Sequence, residues 1–115
     1  MEPLYVTKKI YADTYDSISM EFFDGGVATN ITTWDFYYRA VHPTTGTTIT
    51  VAPASMLKSA GGGGVINVLT IPFVRTITDV ADGLYPHNLI GMPSTDPITF
   101  MDGNVEIVKN DVEVA

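Results

Sequence analysis

The chain has 115 residues, 13 acidic against 6 basic, a net charge of −7 and no cysteine. That length suits one domain with a core of its own, and the missing thiols exclude disulfides and thiolate metal sites. The acidic balance, with Lys8-Lys9 the sole basic pair, argues against nucleic acid as a partner.

The opening Met1-Glu2-Pro3 has no charged region followed by an apolar run, so no signal peptide is expected. No apolar stretch approaches the ~20 residues of a membrane helix, so no membrane partner is expected.

Leu4 to Ile10 reads as a first strand. Tyr15 to Phe23 alternates, with Ile18, Met20 and Phe22 on one side and Ser17, Ser19 and Glu21 on the other. Asp24-Gly25-Gly26 is a hairpin turn, because glycine supplies the positive φ such turns demand. Thr33 to Val41 places Trp34, Phe36, Tyr38 and Ala40 on one face, the expected centre of the core, and Asp35, Tyr37 and Arg39 on the other. After the turn at His42 to Gly46, Thr47 to Val51 is a short strand whose threonines suggest an edge.

Pro53 to Lys58 has room for one weak helical turn. Gly61, Gly62, Gly63 and Gly64 read as a flexible loop, since ordering four glycines costs much backbone entropy. Val65 to Ile71 is a strong strand, and Pro72 to Val80 contains a helical turn or two that crosses between sheets, with Pro72 as its start. Gly83-Leu84-Tyr85 opens a strand reaching Leu89 or Ile90, in which Pro86 argues for an edge or irregular entry. Asp102-Gly103-Asn104 reads as a hairpin turn between Ile98–Met101 and Val105–Val108, and Asp111 to Ala115 as a fraying tail.

About seven to nine short strands with frequent turns predict an all-β fold. The expected architecture is an Ig-like antiparallel β-sandwich with one short helical crossover, a single domain over residues 1–115.

The chemistry-bearing residues offer little. His42 precedes Pro43 in a turn and His87 follows Pro86, so both read as surface or edge histidines, and no G-x-S-x-G elbow surrounds a serine. The carboxylates are scattered; Asp79 and Asp82 read as capping or solvated residues rather than an ion site. The glycine tetrad lacks the lysine of a phosphate loop; its functional reading is a tip that orders against a neighbour. The aromatic set around Trp34 reads as core rather than as a ligand-stacking platform. Tyr37 suits either a protein interface or a second buried face, since a sandwich strand can be covered on both sides in an oligomer. No catalytic residue, cofactor or metal is expected, and a hydrolase built on His87 is the least favoured reading.

The order of short motifs carries a resemblance. Asp13-Thr14 precedes a strand. Asn30-Ile31-Thr32 leads into Trp34-Asp35-Phe36 and on to Arg39. A late Gly83-x-Tyr85 follows, and the chain closes on Gly103-x-Val105-x-Ile107-Val108 and Asp111-Val112. This order resembles the N-terminal β-sandwich domain of tailed-phage baseplate upper proteins and related small phage virion proteins. Ala12, Thr33 and Glu113 stand where that pattern has Gly, Gly and Thr.

The resemblance implies a virion structural protein, as capsid decoration or as a neck, tail or fibre-anchoring adaptor. Its partners would be other virion proteins, in many copies or as a homo-oligomer, with assembly in the host cytoplasm. Leu4, Tyr5, Val6, Tyr37 and Gly61 to Gly64 are the expected contact residues, with Met1 to Val6 and Gly61 to Gly64 ordering only on assembly. The alternative is a carbohydrate- or surface-binding module using exposed aromatics such as Tyr37 or Tyr11.

Overall fold

Alternation builds the long strands where the sequence predicts them. In the computed structural model, which describes residues 3–78 and 80–109, the odd positions Asn67, Leu69, Ile71 and Phe73 of one strand are buried. Phe36, Tyr38 and Ala40 do the same on the strand that faces it. Asp79 and the expected tail from Asp111 lie outside the described residues.

The elements are β1 (Leu4–Tyr11), β2 (Asp16–Glu21), β3 (Phe23–Asp24), β4 (Val27–Ala28), β5 (Asp35–Val41) and β6 (Thr48–Val51). A 3-10 turn (Pro53–Ser55), β7 (Leu57–Ala60), β8 (Ile66–Phe73), α1 (Arg75–Thr78), β9 (Gly83–Met92) and β10 (Ile98–Val108) follow. One sheet has five strands in the order β1-β10-β9-β5-β6, a second has three in the order β2-β8-β7, and β3-β4 form a separate ladder. The fold is all-β and sandwich-like. The ten strands among the described residues include two that were not expected, β7 and the return strand of the Asp24-Gly25-Gly26 hairpin, which forms a short ladder of its own with φ of 57° and 82° at the two glycines.

The two sheets meet in one hydrophobic cluster. Tyr38 of the larger sheet packs edge-on against Phe73 of the smaller, with ring centroids 5.2 Å apart. The crossover α1 carries the chain from β8 to β9, as the sequence predicts, and is pinned to the β1–β2 turn. Thr78 Oγ1 accepts from the Thr14 N–H (3.0 Å) and donates to the Thr14 carbonyl (2.7 Å), while Arg75 grips Asp13 with two nitrogens. The Asp13-Thr14 motif thus holds the crossover in place.

Several expectations are corrected. Asp102-Gly103-Asn104 is not a turn: β10 runs unbroken from Ile98 to Val108, flanked by β9 and β1. Gly103 does adopt a positive φ, 119°, but uses it to let another backbone approach, since an added Cβ would lie 2.1 Å from the Val6 carbonyl oxygen. The arrangement is also not wholly antiparallel, because β1 runs parallel to β10.

Pro86 lies in an interior strand, not an edge. The β5–β9 ladder stops at Ala40↔His87, so no partner on that side needs the missing N–H. Pro72 follows the same logic. It sits in β8 opposite Ser17, beyond the Leu57↔Thr70 end of the β7 ladder, and does not open the helix. Trp34 precedes β5 and is only half-buried, so the core centres on Tyr38, Phe73, Leu89 and Met101 instead.

Candidate functional site

Of the segment Met1 to Val6, Met1 and Glu2 lie outside the described residues, and Leu4 to Val6 are strand. They pair in register with Met101, Asp102 and Gly103 as the start of β1. Leu4 and Tyr5 are nonetheless 56% and 67% exposed, and β1 is the last strand of its sheet. Among the described residues nothing pairs with its outer side, so a row of backbone donors and acceptors faces outward there.

His87 holds that strand in place, and it is buried rather than on the surface (5% exposed). Its Nε2 lies 2.9 Å from the Val6 carbonyl oxygen and its Nδ1 2.8 Å from the Tyr38 hydroxyl. A carbonyl only accepts, so Nε2 carries the proton and Nδ1 accepts from the tyrosine. Burial pushes the imidazole pKa below its ordinary value, against hydrogen bonds to Val6 and Asp102 and the Asp102 charge. Burial likewise pushes the Tyr38 hydroxyl up, keeping it a donor. With both ring nitrogens engaged, His87 has no lone pair to offer as a general base. The sequence signal was weak, because Pro86 argued for irregular, exposed backbone at this point.

His42 is a turn residue, as expected. Its Nδ1 accepts from the backbone N–H groups of Thr44 and Thr45, each at 3.2 Å. Among the described residues no three His, Asp or Glu side chains gather where they could hold a metal.

The tetraglycine is a built turn rather than a slack loop. The Gly61 N–H donates to the Val65 carbonyl (3.1 Å) and the Gly64 N–H to that of Gly61 (3.1 Å). The base is buried Asn67, whose Oδ1 also accepts from the Gly61 N–H while its Nδ2 donates to the Phe22 carbonyl. A Cβ on Gly61 would meet that Oδ1 at 2.3 Å, whereas Gly62 and Gly63 have open space around them. Gly61 therefore has a packing reason and Gly64 a conformational one, its φ of 77°, while Gly62-Gly63 form the free tip.

Tyr37 is 46% exposed on the outer face of the larger sheet, opposite Ile90. Both of its expected readings, a protein interface and a face buried in an oligomer, need a second chain to cover it. Tyr11, at the far end of β1, pairs with Val108, whereas Ile90 pairs with Thr99. Nine residues of β10 separate those positions, about 30 Å at strand rise, so the two tyrosines cannot share one sugar ring.

Two concavities stand out among the described residues. Arg39, Val41, Pro86, His87 and Asn88 line a shallow one of about 230 Å³. The other, about 250 Å³, lies among aromatic side chains that the sequence assigned wholly to the core. A register shift between Thr99 and Met101 in β10 turns Phe100 inward beside Met101. Phe100 then stacks on Trp34 (5.7 Å, 18°), and both meet Phe22 edge-on. Gly91 makes room, since a Cβ there would strike the Phe100 ring at 2.6 Å.

No family model matches this chain. No curated protein matches it either. No helix among the described residues is long and apolar enough to cross a membrane.

Proposed function

We propose that this chain is a non-catalytic virion structural module that works by protein–protein contact, with the open edge of β1 as its main docking element. The observation that carries this reading is the combination of an unpaired strand edge with exposed Leu4 and Tyr5 on a strand held rigid from behind by His87. A neighbour adding a strand gains main-chain hydrogen bonds, and side-chain pockets for Leu4 and Tyr5 supply specificity. The order of motifs from Asp13-Thr14 to Gly103-x-Val105, similar to tailed-phage baseplate upper proteins, supports the virion setting. Tyr37 and the Gly62-Gly63 tip are secondary contacts.

The test has two parts. Mass spectrometry of purified phage particles should find the chain in stoichiometric amounts; its absence would overturn the virion setting. Amide hydrogen exchange should then show residues 4–8 slowed in the particle relative to the free chain. Equal exchange in both would remove β1 as the docking edge.

A further inference from the structure

At one end of the sandwich the core opens to solvent. Phe22, Trp34 and Phe100 form the floor of the 250 Å³ cleft there, and Phe23, 54% exposed, stands at its wall. The space is smaller than the roughly 300–1,000 Å³ typical of clefts for drug-sized ligands, so it suits one side chain. The aromatic floor is prearranged, because Trp34 is stacked on Phe100 and held edge-on by Phe22.

The polar lining is one-sided. Asp24 and Thr29 are the polar residues among those that line the cleft, and none of the lining residues is cationic. A neutral apolar occupant would crowd the exposed, acidic Asp24 at the cleft without pairing its charge, which costs free energy. A sugar ring needs several donors and acceptors around its hydroxyls, and two polar side chains supply few. A guanidinium meets both demands: it stacks flat on an aromatic face, sheds water readily and pairs with a carboxylate through two parallel hydrogen bonds. The net charge of −7 adds long-range attraction for a basic partner.

We propose that this cleft binds an arginine side chain of a partner protein, its guanidinium stacked on Trp34 and paired with Asp24. This names a partner chemistry beyond the β1 edge, and the site operates whether or not that edge is used.

Trp34 is the single tryptophan of the chain, so its fluorescence reports directly on the cleft. The unaltered protein is titrated with N-acetyl-arginine amide, its lysine and citrulline counterparts, and methyl glucoside. The expected result is a saturable shift with the arginine compound that weakens with added salt, a smaller response to lysine, and none to citrulline or glucoside. Asp24→Asn should reduce the arginine affinity by roughly five-fold with the far-UV circular dichroism unchanged. Citrulline matching arginine, saturation by glucoside, or no saturable response to arginine would each overturn the proposal. The citrulline comparison uses the unaltered chain, so it decides the matter even if the variant folds poorly.

Discussion

The imidazole of His87 reaches the main-chain carbonyl of Val6 across the position where Gly103 has no side chain. Val6 and Gly103 are register partners, and His87 lies on the strand flanking β10 on its other side. An edge strand that pairs in parallel on one side only is thereby tied into the core by a side chain two strands away. The tie depends on the Nε2–H of His87 and on the bare α-carbon of Gly103.

Acid should destabilise the folded chain through His87, because burial penalises the charged ring. The native pKa of His87 lies below the ordinary 6.5, so between the two values the unfolded chain binds a proton that the folded chain does not. Its contribution is therefore complete above about pH 6.5 and declines as the pH falls through the depressed native pKa. Urea unfolding of the wild type at pH 7.5 and at pH 5 should show a larger loss than the same pair of measurements on His87→Gln. Identical pH slopes in the two proteins would remove His87 as the titrating group.

Truncation at the same position should cost more than a surface substitution. His87→Ala leaves the Val6 carbonyl and the buried Tyr38 hydroxyl without their partner, each worth about 1–3 kcal/mol. The loss should appear as a lower urea midpoint. Exchange of the β1 amides should rise more than that of β8, since β1 loses its anchor.

The glycines should separate by role. Gly103→Ala forces a Cβ against the Val6 carbonyl at φ 119°, and Gly61→Ala drives one into Asn67. Both should destabilise by more than about 1 kcal/mol. Gly62→Ala and Gly63→Ala meet open space and should be neutral or stabilising by about 0.4–1 kcal/mol, because they restrict the unfolded chain. Thermal unfolding of the four variants tests the ranking.

Tyr85→Phe should cost about 1 kcal/mol. The Tyr85 hydroxyl donates to the Ala81 carbonyl (2.6 Å), four residues upstream, and fixes the chain between α1 and β9. A tyrosine hydroxyl bonded back to the main chain a few residues upstream is the arrangement of a tyrosine corner in β-sandwiches. A melting temperature unchanged from wild type would show the bond to be worth nothing net.

Lys58→Met should alter Trp34 more than global stability. The Lys58 ammonium donates to the carbonyls of Thr32 and Trp34 and lies 5.7 Å from the Phe36 ring centroid, partly exposed. Partial exposure limits its worth to about 1 kcal/mol. The turn carrying Trp34 loses its tether, and the fluorescence maximum should move to the red.

Side-chain alternation was enough to place β2, β5 and β8 and to name Phe36, Tyr38, Ile18 and Met20 as core, because a period of two is a local property of a half-buried strand. Turn chemistry likewise located the Gly25-Gly26 hairpin, where the positive φ serves the turn itself. Asp102-Gly103-Asn104 carries the same local signature, yet there the positive φ accommodates a strand almost a hundred residues away. Nothing nearby in sequence distinguishes the two uses. The burial of His87, the parallel edge at β1 and the opening of the Phe22–Trp34–Phe100 cluster toward Asp24 all depend on which strands become neighbours. Neighbour choice is settled by long-range packing and hydrogen bonding of the whole chain, and no window of the sequence contains that competition.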